Sequence, residues 1–151
     1  MTATDLVDAV AAEVRQAVAD VKLPIEHHGA LDLTFKPVSV YTGYLPRDAF
    51  NDDNYYPLVL VEWLGTNDEF GTTSTSTSAI GLSMGVFAAE SYGWKDALHL
   101  TEIVRHRLLT RRVVGNKFRL TDSASWEVVP DQPLPFFYTT ATLNYQTFQP
   151  H

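Results

Sequence analysis

Cysteine is absent from this chain of 151 residues. Its absence excludes disulfide bridges, thiolate nucleophiles and zinc sites built on cysteine, and it leaves the redox compartment open. Basic residues are few: 11 lysines and arginines stand against 18 aspartates and glutamates, for a formal net charge of −7. Without a cationic excess to neutralise phosphates, sequence-specific binding to nucleic acid is disfavoured.

Long hydrophobic runs are also missing. No window reaches the roughly 18 apolar residues that a membrane-spanning helix needs, and acidic residues stand near the N-terminus where a secretory signal has basic ones. We therefore expect a soluble protein that is made in the cytoplasm and has no membrane contact. The 45% hydrophobic and 19% charged content is typical of one globular domain, so residues 1–151 are predicted to fold as a single unit.

Two segments have the apolar spacing of three to four residues that is typical of amphipathic helices. The first helix is predicted to begin after Thr4, its N-cap, and to end near Val21, since Pro24 follows as a stop signal. The second is predicted over residues 94–112, with an apolar stripe that ends on Arg111. Arginines near its C-terminal end suit the negative end of the helix dipole.

The other segments predict strands. The near-continuous apolar run at residues 57–64 indicates a strand covered on both faces, and the alternation at residues 80–87 predicts its neighbour, whose glycines indicate bulges or close backbone contacts. Residues 66–78, with the stretch TTSTSTS, are predicted as a mobile surface loop. Weaker strand patterns occur at residues 31–35, 38–40, 118–120, 126–129 and 136–148. A turn is predicted at Gly115 and Asn116. Because the strands cluster in hairpins, we predict an α+β fold: a mixed, mainly antiparallel sheet with two helices packed on it.

The segment GLSMG at residues 81–85 matches the G-x-S-x-G nucleophile elbow of serine hydrolases. An elbow needs a strand that turns at once into a helix, whereas the apolar alternation here continues to Val86. Asp96 and His99 follow in the order of a catalytic triad, but they lie within one predicted helix. We therefore expect Ser83 to lie in an ordinary strand, and no catalytic residue is predicted.

Metal-binding side chains occur without a convincing arrangement. His27, His28 and Asp32 have suitable ligand atoms, but adjacent histidines point in different directions, which favours a solvated segment. His99 and His106 share a face of the second helix without the glutamate of an H-E-x-x-H site. Neither a metal site nor a cofactor is predicted.

Charged side chains cluster in two places. Four arginines in eight positions near the end of the second helix exceed what dipole capping requires, and two interpretations stay open: a solvated helix end, or a grip on phosphate or a partner's carboxylates. These are Arg105, Arg107, Arg111 and Arg112. Acidic residues in the predicted loops lack the spacing of a calcium site. These are Asp48, Asp52, Asp53, Asp68 and Glu69.

Three stretches carry a resemblance to a known family: YYPLVLVEW, which a polar loop follows, then GLSMGVFAAESYGWKDALHLTEIVRHRLL, and finally PDQPLPFFYTTATLNYQ. In this order they resemble the tail terminator or tail completion proteins of long-tailed bacteriophages. The last stretch is the most specific, because such proteins often have a turn of prolines and aromatic residues before the final strand. The resemblance covers residues 55–148, and residues 23–54 have no counterpart in it.

This resemblance implies a structural protein without catalysis or cofactor, located in the virion at the head-proximal end of the tail. The chain would assemble in the host cytoplasm as a homo-oligomer, a hexameric ring, which stacks on the tail tube protein, stops tube polymerisation and binds the head connector or stopper protein. DNA would be passing cargo only. The subunit or partner interface would comprise Arg105, Arg107, Arg111, Arg112, Thr72, Thr73, Ser74 and Thr75, while an acidic loop with Asp68 and Glu69 would face the channel.

Three alternatives stay open. The nearest is another head-tail joining protein of the neck, a head-completion protein or a tail-tube protein. From a different class, a small serine hydrolase would use Ser83. A binding module for a small ligand is disfavoured, because no convergent cluster of polar residues appears in the sequence.

Overall fold

A computed structural model describes residues 2–25, 34–46, 49, 51–71, 75–88, 93–130 and 135–148. In chain order the elements are α1 (Ala3–Val18), β1 (Lys22–Ile25), β2 (Thr34–Pro37), β3 (Ser39–Thr42), a short 3-10 helix (Asp53–Tyr55), β4 (Leu58–Glu69), β5 (Thr75–Phe87), α2 (Gly93–Thr110), β6 (Val113–Val114), β7 (Phe118–Val128) and β8 (Phe136–Phe148). The predicted α+β class, two helices on a mixed and mainly antiparallel sheet, is confirmed. No helix in these ranges is long and apolar enough to cross a membrane.

Six strands form the main sheet in the order β3-β4-β5-β8-β7-β6, while β1 and β2 form a separate hairpin. The short β3 lies parallel to β4, and every other neighbouring pair in the main sheet is antiparallel. The central pair is β5 and β8, whose register runs from Thr75 opposite Phe148 to Phe87 opposite Phe136. The four long strands β4, β5, β8 and β7 therefore alternate strictly in direction across the sheet.

Both helices pack on one face of the sheet, where the main core lies. The apolar stripe of α1, which includes Val10 and Val14, is fully buried, as is Leu100 of α2. These side chains meet the alternate residues of β5 that face the helices, such as Leu82 and Met84. The alternate apolar side chains of β5 and the apolar stripes of the two helices thus pack against each other and are buried in one core.

Capping places the start of α1 two residues earlier than predicted. The Asp5 N–H donates to Thr2 Oγ1 at 3.2 Å, and the Thr2 N–H donates to Asp5 Oδ2 at 2.9 Å, which makes a reciprocal capping box. The hydrogen bonds from Thr2 hold the pKa of the Asp5 carboxyl below its usual value. The predicted N-cap Thr4 is wrong, because its third following residue is Val7 and no carboxylate stands there to close the box.

The end of α2 also differs from the prediction. The helix ends at Thr110, and its last buried residue is Leu108. Arg111 lies just beyond the helix and is exposed, so the predicted continuation of the apolar stripe onto Arg111 is wrong. The predicted turn is confirmed: Gly115 and Asn116 both have a φ of 59°, the left-handed values that a tight turn between β6 and β7 requires.

A second, smaller core covers one end of the opposite sheet face. Here Tyr56, Leu58, Leu60 and Phe136 are buried with residues from β1 and from the segment before β4. Residues 58–61 are thus buried on both faces, which confirms the prediction for the start of β4. Beyond Val61 this cover ends, and the second half of β4 projects past the helices with mostly exposed side chains.

Candidate functional site

Ser83 lies in the middle of a continuous strand. It is opposite Leu60 of β4 on one side and Thr140 of β8 on the other, and β5 continues to Phe87 without a turn into a helix. By strand alternation Ser83 points away from the helices, since its neighbours Leu82 and Met84 belong to the core that the helices cover. His99 is on α2, on the other side of the sheet. The nucleophile-elbow geometry is therefore absent, as the sequence predicted.

The glycines that complete the motif have a packing role. A Cβ on Gly85 would lie 2.8 Å from ring carbons of both Tyr56 and Tyr138, and one on Gly81 would lie 3.1 Å from the Leu64 methyl carbons. The predicted close contacts are thus confirmed: at Gly85 two aromatic rings pack directly on the strand backbone, where a side chain would displace them.

We expect Gly85→Ala to lower the free energy of unfolding by about 2 kcal/mol, because the added methyl group overpacks the two tyrosine rings. Ser83→Ala, two residues away on the same face, is the matched control and is expected to change stability by less than about 0.5 kcal/mol. Urea unfolding followed by circular dichroism measures both. A large loss for Ser83→Ala together with a neutral Gly85→Ala would contradict this account.

The four arginines near the end of α2 are not equivalent. Arg107 Nε donates to Glu13 Oε2 of α1 at 2.8 Å, and its Nη2 donates to Gln16 Oε1. The side chains of Arg107 and Glu13 are only 25% and 14% exposed, so this ion pair joins the two helices in a partly buried setting. Glu13 and Gln16 therefore lie on the side of α1 that faces α2.

The other three arginines are more exposed. Arg105 lies 3.6 Å from Glu102 within α2, with 44% of its side chain exposed. Arg112 donates from Nε to the Leu109 carbonyl oxygen at 3.2 Å, which closes the helix end. Arg111 has no carboxylate within ion-pair distance among the described residues. Arg105, Arg111 and Arg112 thus keep the charge that a partner can contact, whereas Arg107 is used within the chain.

A groove of about 680 Å³ lies between the C-terminal half of α1 and the outer side of α2. Ala17 and Ile103 line it together with His99, His106 and Arg111. In the part of the chain that the structure describes, no three histidine or acidic side chains come together as a metal site. His27, His28 and Asp32 lie outside the described residues. The groove holds neither a triad nor a ligand set.

The predicted loop at residues 66–78 is largely strand, so that prediction is wrong. β4 continues to Glu69, and β5 begins at Thr75 directly opposite it. The reason is the alternation within the stretch TSTSTS: Ser78 shares a hydrogen bond of 2.8 Å with Thr66, and Ser76 donates to Asp68. Threonine favours strands, and the serine hydroxyls here form hydrogen bonds with side chains of the neighbouring strand. Thr72, Thr73 and Ser74 lie outside the described residues.

Asp68 and Glu69, the two residues of the predicted acidic loop, do not share a face of the sheet. Asp68 and Glu69 are exposed neighbours in β4, and successive side chains of a strand point to opposite faces. Asp68 lies on the helix side with Ser76, while Glu69 lies on the other side. Only Glu69 thus shares the face that the helices leave open, and neither residue lies in a loop.

The open face of the sheet is polar and nearly free of positive charge. Away from the helices and beyond the second core, β4, β5, β8 and β7 present small, hydroxyl, amide and acidic side chains, which we call the polar face. By register its members are Glu62, Asn67, Glu69, Thr75, Thr77, Ala79, Gly81, Ser83, Ser125, Glu127, Thr140, Thr142, Asn144 and Gln146. Leu64, which is 55% exposed and lies against Gly81, is a large apolar side chain on the same face. Among the described residues it carries no lysine, and Arg119 at its margin is its one arginine. Partial burial raises the pKa of the Glu62 carboxyl.

Both sides of the sheet end in a partly free edge. β3 covers only residues 58–61 of β4, and the Gly43 N–H reaches the Val61 carbonyl, so residues 62–69 have no outer partner strand in the described structure. On the opposite side β6 and Arg112 cover β7 as far as Leu120, which leaves residues 121–128 without an outer partner among the described residues. We call these stretches the β4 edge and the β7 edge.

No family model matches the sequence, and no curated protein matches it. Among solved structures, the chain is similar to a chain in the virion of a native gene transfer agent (GTA) particle. Sequence identity is 14%, 97% of each chain is covered, and the TM-score is 0.53. The protein therefore shares its fold, over nearly its whole length, with a component of that particle.

Proposed function

We propose that the chain is a structural protein of a phage-like particle, and specifically a tail terminator. In this role copies form a ring on the last ring of tail tube protein, end tube polymerisation and bind the connector at the head. The observation that carries the proposal is the shared fold with a virion component over 97% of both chains. The order of strands and helix, which resembles tail terminators, favours this position in the particle.

The polar face supports a channel role for the sheet. A duplex that passes through a ring is not retained by a wall of hydroxyl, amide and carboxylate groups, because counterion release needs lysine or arginine on the protein. Glu62, Glu69 and Glu127 add negative charge that repels the phosphates. The helices cover the other face, which places their charged residues on the outside of such a ring. In this proposal DNA is cargo, and the protein has no reactive centre.

Deletion of the coding sequence from the genome that carries it tests the assignment, with electron microscopy as the measurement. A terminator deletion is expected to produce tails longer than those of the parent and filled heads without tails, because nothing stops tube growth. Complementation by the Ser83→Ala chain is expected to restore normal particles, since Ser83 has no catalytic part in this proposal.

Two other outcomes would contradict the terminator role. Loss of all tubes would identify a tube protein, and tails of normal length separated from heads would identify a neck protein on the head side. Failure of Ser83→Ala to complement, with the variant folded and abundant, would instead favour a hydrolase.

A further inference from the structure

We propose that neighbouring copies of this chain associate through two different surfaces, with the β4 edge of one copy paired with the β7 edge of the next. This inference rests on the proposed ring and specifies its contact. The two edges lie on opposite sides of one sheet, residues 62–69 and residues 121–128, and each contains a register shift, between Trp63 and Gly65 in β4 and between Leu120 and Ala124 in β7. Unpaired strand edges present rows of N–H and C=O groups that readily pair with another chain.

Strand direction permits this pairing in a ring. β4, β5, β8 and β7 alternate in direction, so β4 and β7 run opposite ways. Rotation about an axis roughly along the strands preserves the direction of every strand, and the β7 of one copy then meets the β4 of its neighbour antiparallel. Such a heterologous contact uses two different surfaces, so every copy repeats it until the ring closes.

The partial strands beside each edge make the two sides complementary. β3 covers the first residues of β4, and β6 covers the first residues of β7. In an antiparallel pair the free second half of β4 lies beside the free second half of β7 from the neighbouring copy. The β3 strand of the first copy then lies past the C-terminal end of the neighbour's β7, and the neighbour's β6 lies past the C-terminal end of β4. The two copies are staggered along the strands as a result, and the tilt of strands in a closed barrel accommodates a stagger of this kind.

Charges match at one end of the proposed contact. The end of β4 at Glu69 comes beside the start of the β7 edge at Thr121. Arg111 and Arg112 lie there, because the Arg112 carbonyl accepts the neighbouring Leu120 N–H at 2.7 Å. Glu69 of one copy thus meets exposed arginines of the next, and these are the arginines that no carboxylate of their own chain occupies in the described structure.

Apolar surface matches at the other end. Val128, the last residue of β7, is 65% exposed. In the paired arrangement it reaches the start of the β4 edge, where Tyr44 is 79% exposed and Trp63 is 51% exposed. Large apolar side chains that cluster at a free edge mark an interaction surface. Pairing of the edges covers all three.

Disulfide mapping tests the contact, and the absence of cysteine makes every disulfide attributable to the engineered positions. Asn67 on the β4 edge and Ser125 and Ser123 on the β7 edge are exposed. Asn67→Cys protein is mixed with Ser125→Cys or Ser123→Cys protein and oxidised at a concentration where native mass spectrometry shows multimers. We expect a mixed disulfide with at least one of the two, and none between Asn67→Cys and Glu102→Cys, an exposed control on α2.

Other results overturn the inference. A disulfide between two copies of Asn67→Cys shows that β4 pairs with itself about a twofold axis. Multimers without any mixed disulfide place the contact elsewhere, and a chain that stays monomeric at every attainable concentration excludes the pairing in solution. In each case a deletion that still gives overlong tails would leave the terminator role intact, so the two proposals fail separately.

Charge exchange provides an independent readout. Glu69→Arg is expected to weaken association of the copies about tenfold, because two like charges then meet across the contact. Arg111→Glu in the same chain is expected to restore association to within about threefold of the parent. Sedimentation measures the effect, and circular dichroism confirms the fold of each variant. No recovery in the double variant would contradict this placement of Glu69.

Discussion

Replacing Arg107 with alanine is expected to lower the free energy of unfolding by about 2 kcal/mol and the melting temperature by about 4 to 8 °C. Arg107 pairs with Glu13 at 2.8 Å and also contacts Gln16, so its loss leaves a carboxylate that is only 14% exposed without its cation. A fully buried pair would cost more, and the remaining solvent access reduces the expected loss. Thermal unfolding followed by circular dichroism measures it.

Arg105→Ala is the matched control on the same helix. Its pair with Glu102 spans 3.6 Å and both side chains are about half exposed, so a change below about 0.5 kcal/mol is expected. Arg107→Ala together with Glu13→Ala removes the uncompensated charge, and we expect it to recover part of the stability. Equal effects of Arg105→Ala and Arg107→Ala would show that the ion pair between the helices contributes nothing specific.

The same arginines show what sequence reasoning reaches and where it stops. Their density near the end of a helix drew attention to them, and the sequence left two interpretations open, a solvated helix end or a grip on phosphate or a partner's carboxylates. Their separate roles were not predictable, because Glu13 stands 94 positions away from Arg107 and the pairing exists only once α1 and α2 pack together. Only Arg105, Arg111 and Arg112 stay available for the partner contacts that the resemblance implies, and those contacts are a proposal.

The fold class was predictable from local patterns. Helical stripes and strand alternation each describe the face that an element buries, and both helices and parts of β4, β5, β7 and β8 follow from them. The two-residue strand β6 does not, because it is too short to have a pattern. The far end of the hairpin between β4 and β5 was not predictable from composition, because the segment TSTSTS is both a low-complexity stretch and an alternating strand pattern. The cross-strand hydrogen-bond partners Asp68 and Thr66 decide between them, and only strand pairing brings those partners opposite the serines.

The surface that matters most for the proposed function was also hidden in the sequence. Members of the polar face are spread over four strands from Glu62 to Gln146, and each one looks like an ordinary solvent-facing residue of its strand. The register of β5 with β8 brings them side by side. The near absence of lysine and arginine from one contiguous surface is therefore a property of the folded sheet.

Lysine at the centre of the polar face is expected to impair DNA delivery while leaving assembly intact. Thr142 is exposed, lies between Gly81 and Ser125, and has room for a longer side chain that extends into solvent. In a ring every copy would add one positive charge to the channel wall at the same height, and such a band would bind the phosphates of passing DNA. We expect Thr142→Lys particles to have normal tails, attached heads and at least about tenfold lower infectivity or transfer.

Two comparisons isolate the channel effect in this experiment. Glu102→Lys changes the charge of the chain in the same direction on the exposed side of α2. Delivery is expected to stay within about twofold of the parent, because the proposed ring has the helices on its outside. Thr142→Gln adds similar bulk at the same site without charge and is expected to be tolerated. Equal loss of delivery with Thr142→Gln would assign the effect to shape, and full delivery by Thr142→Lys particles would show that the polar face does not line the path of DNA.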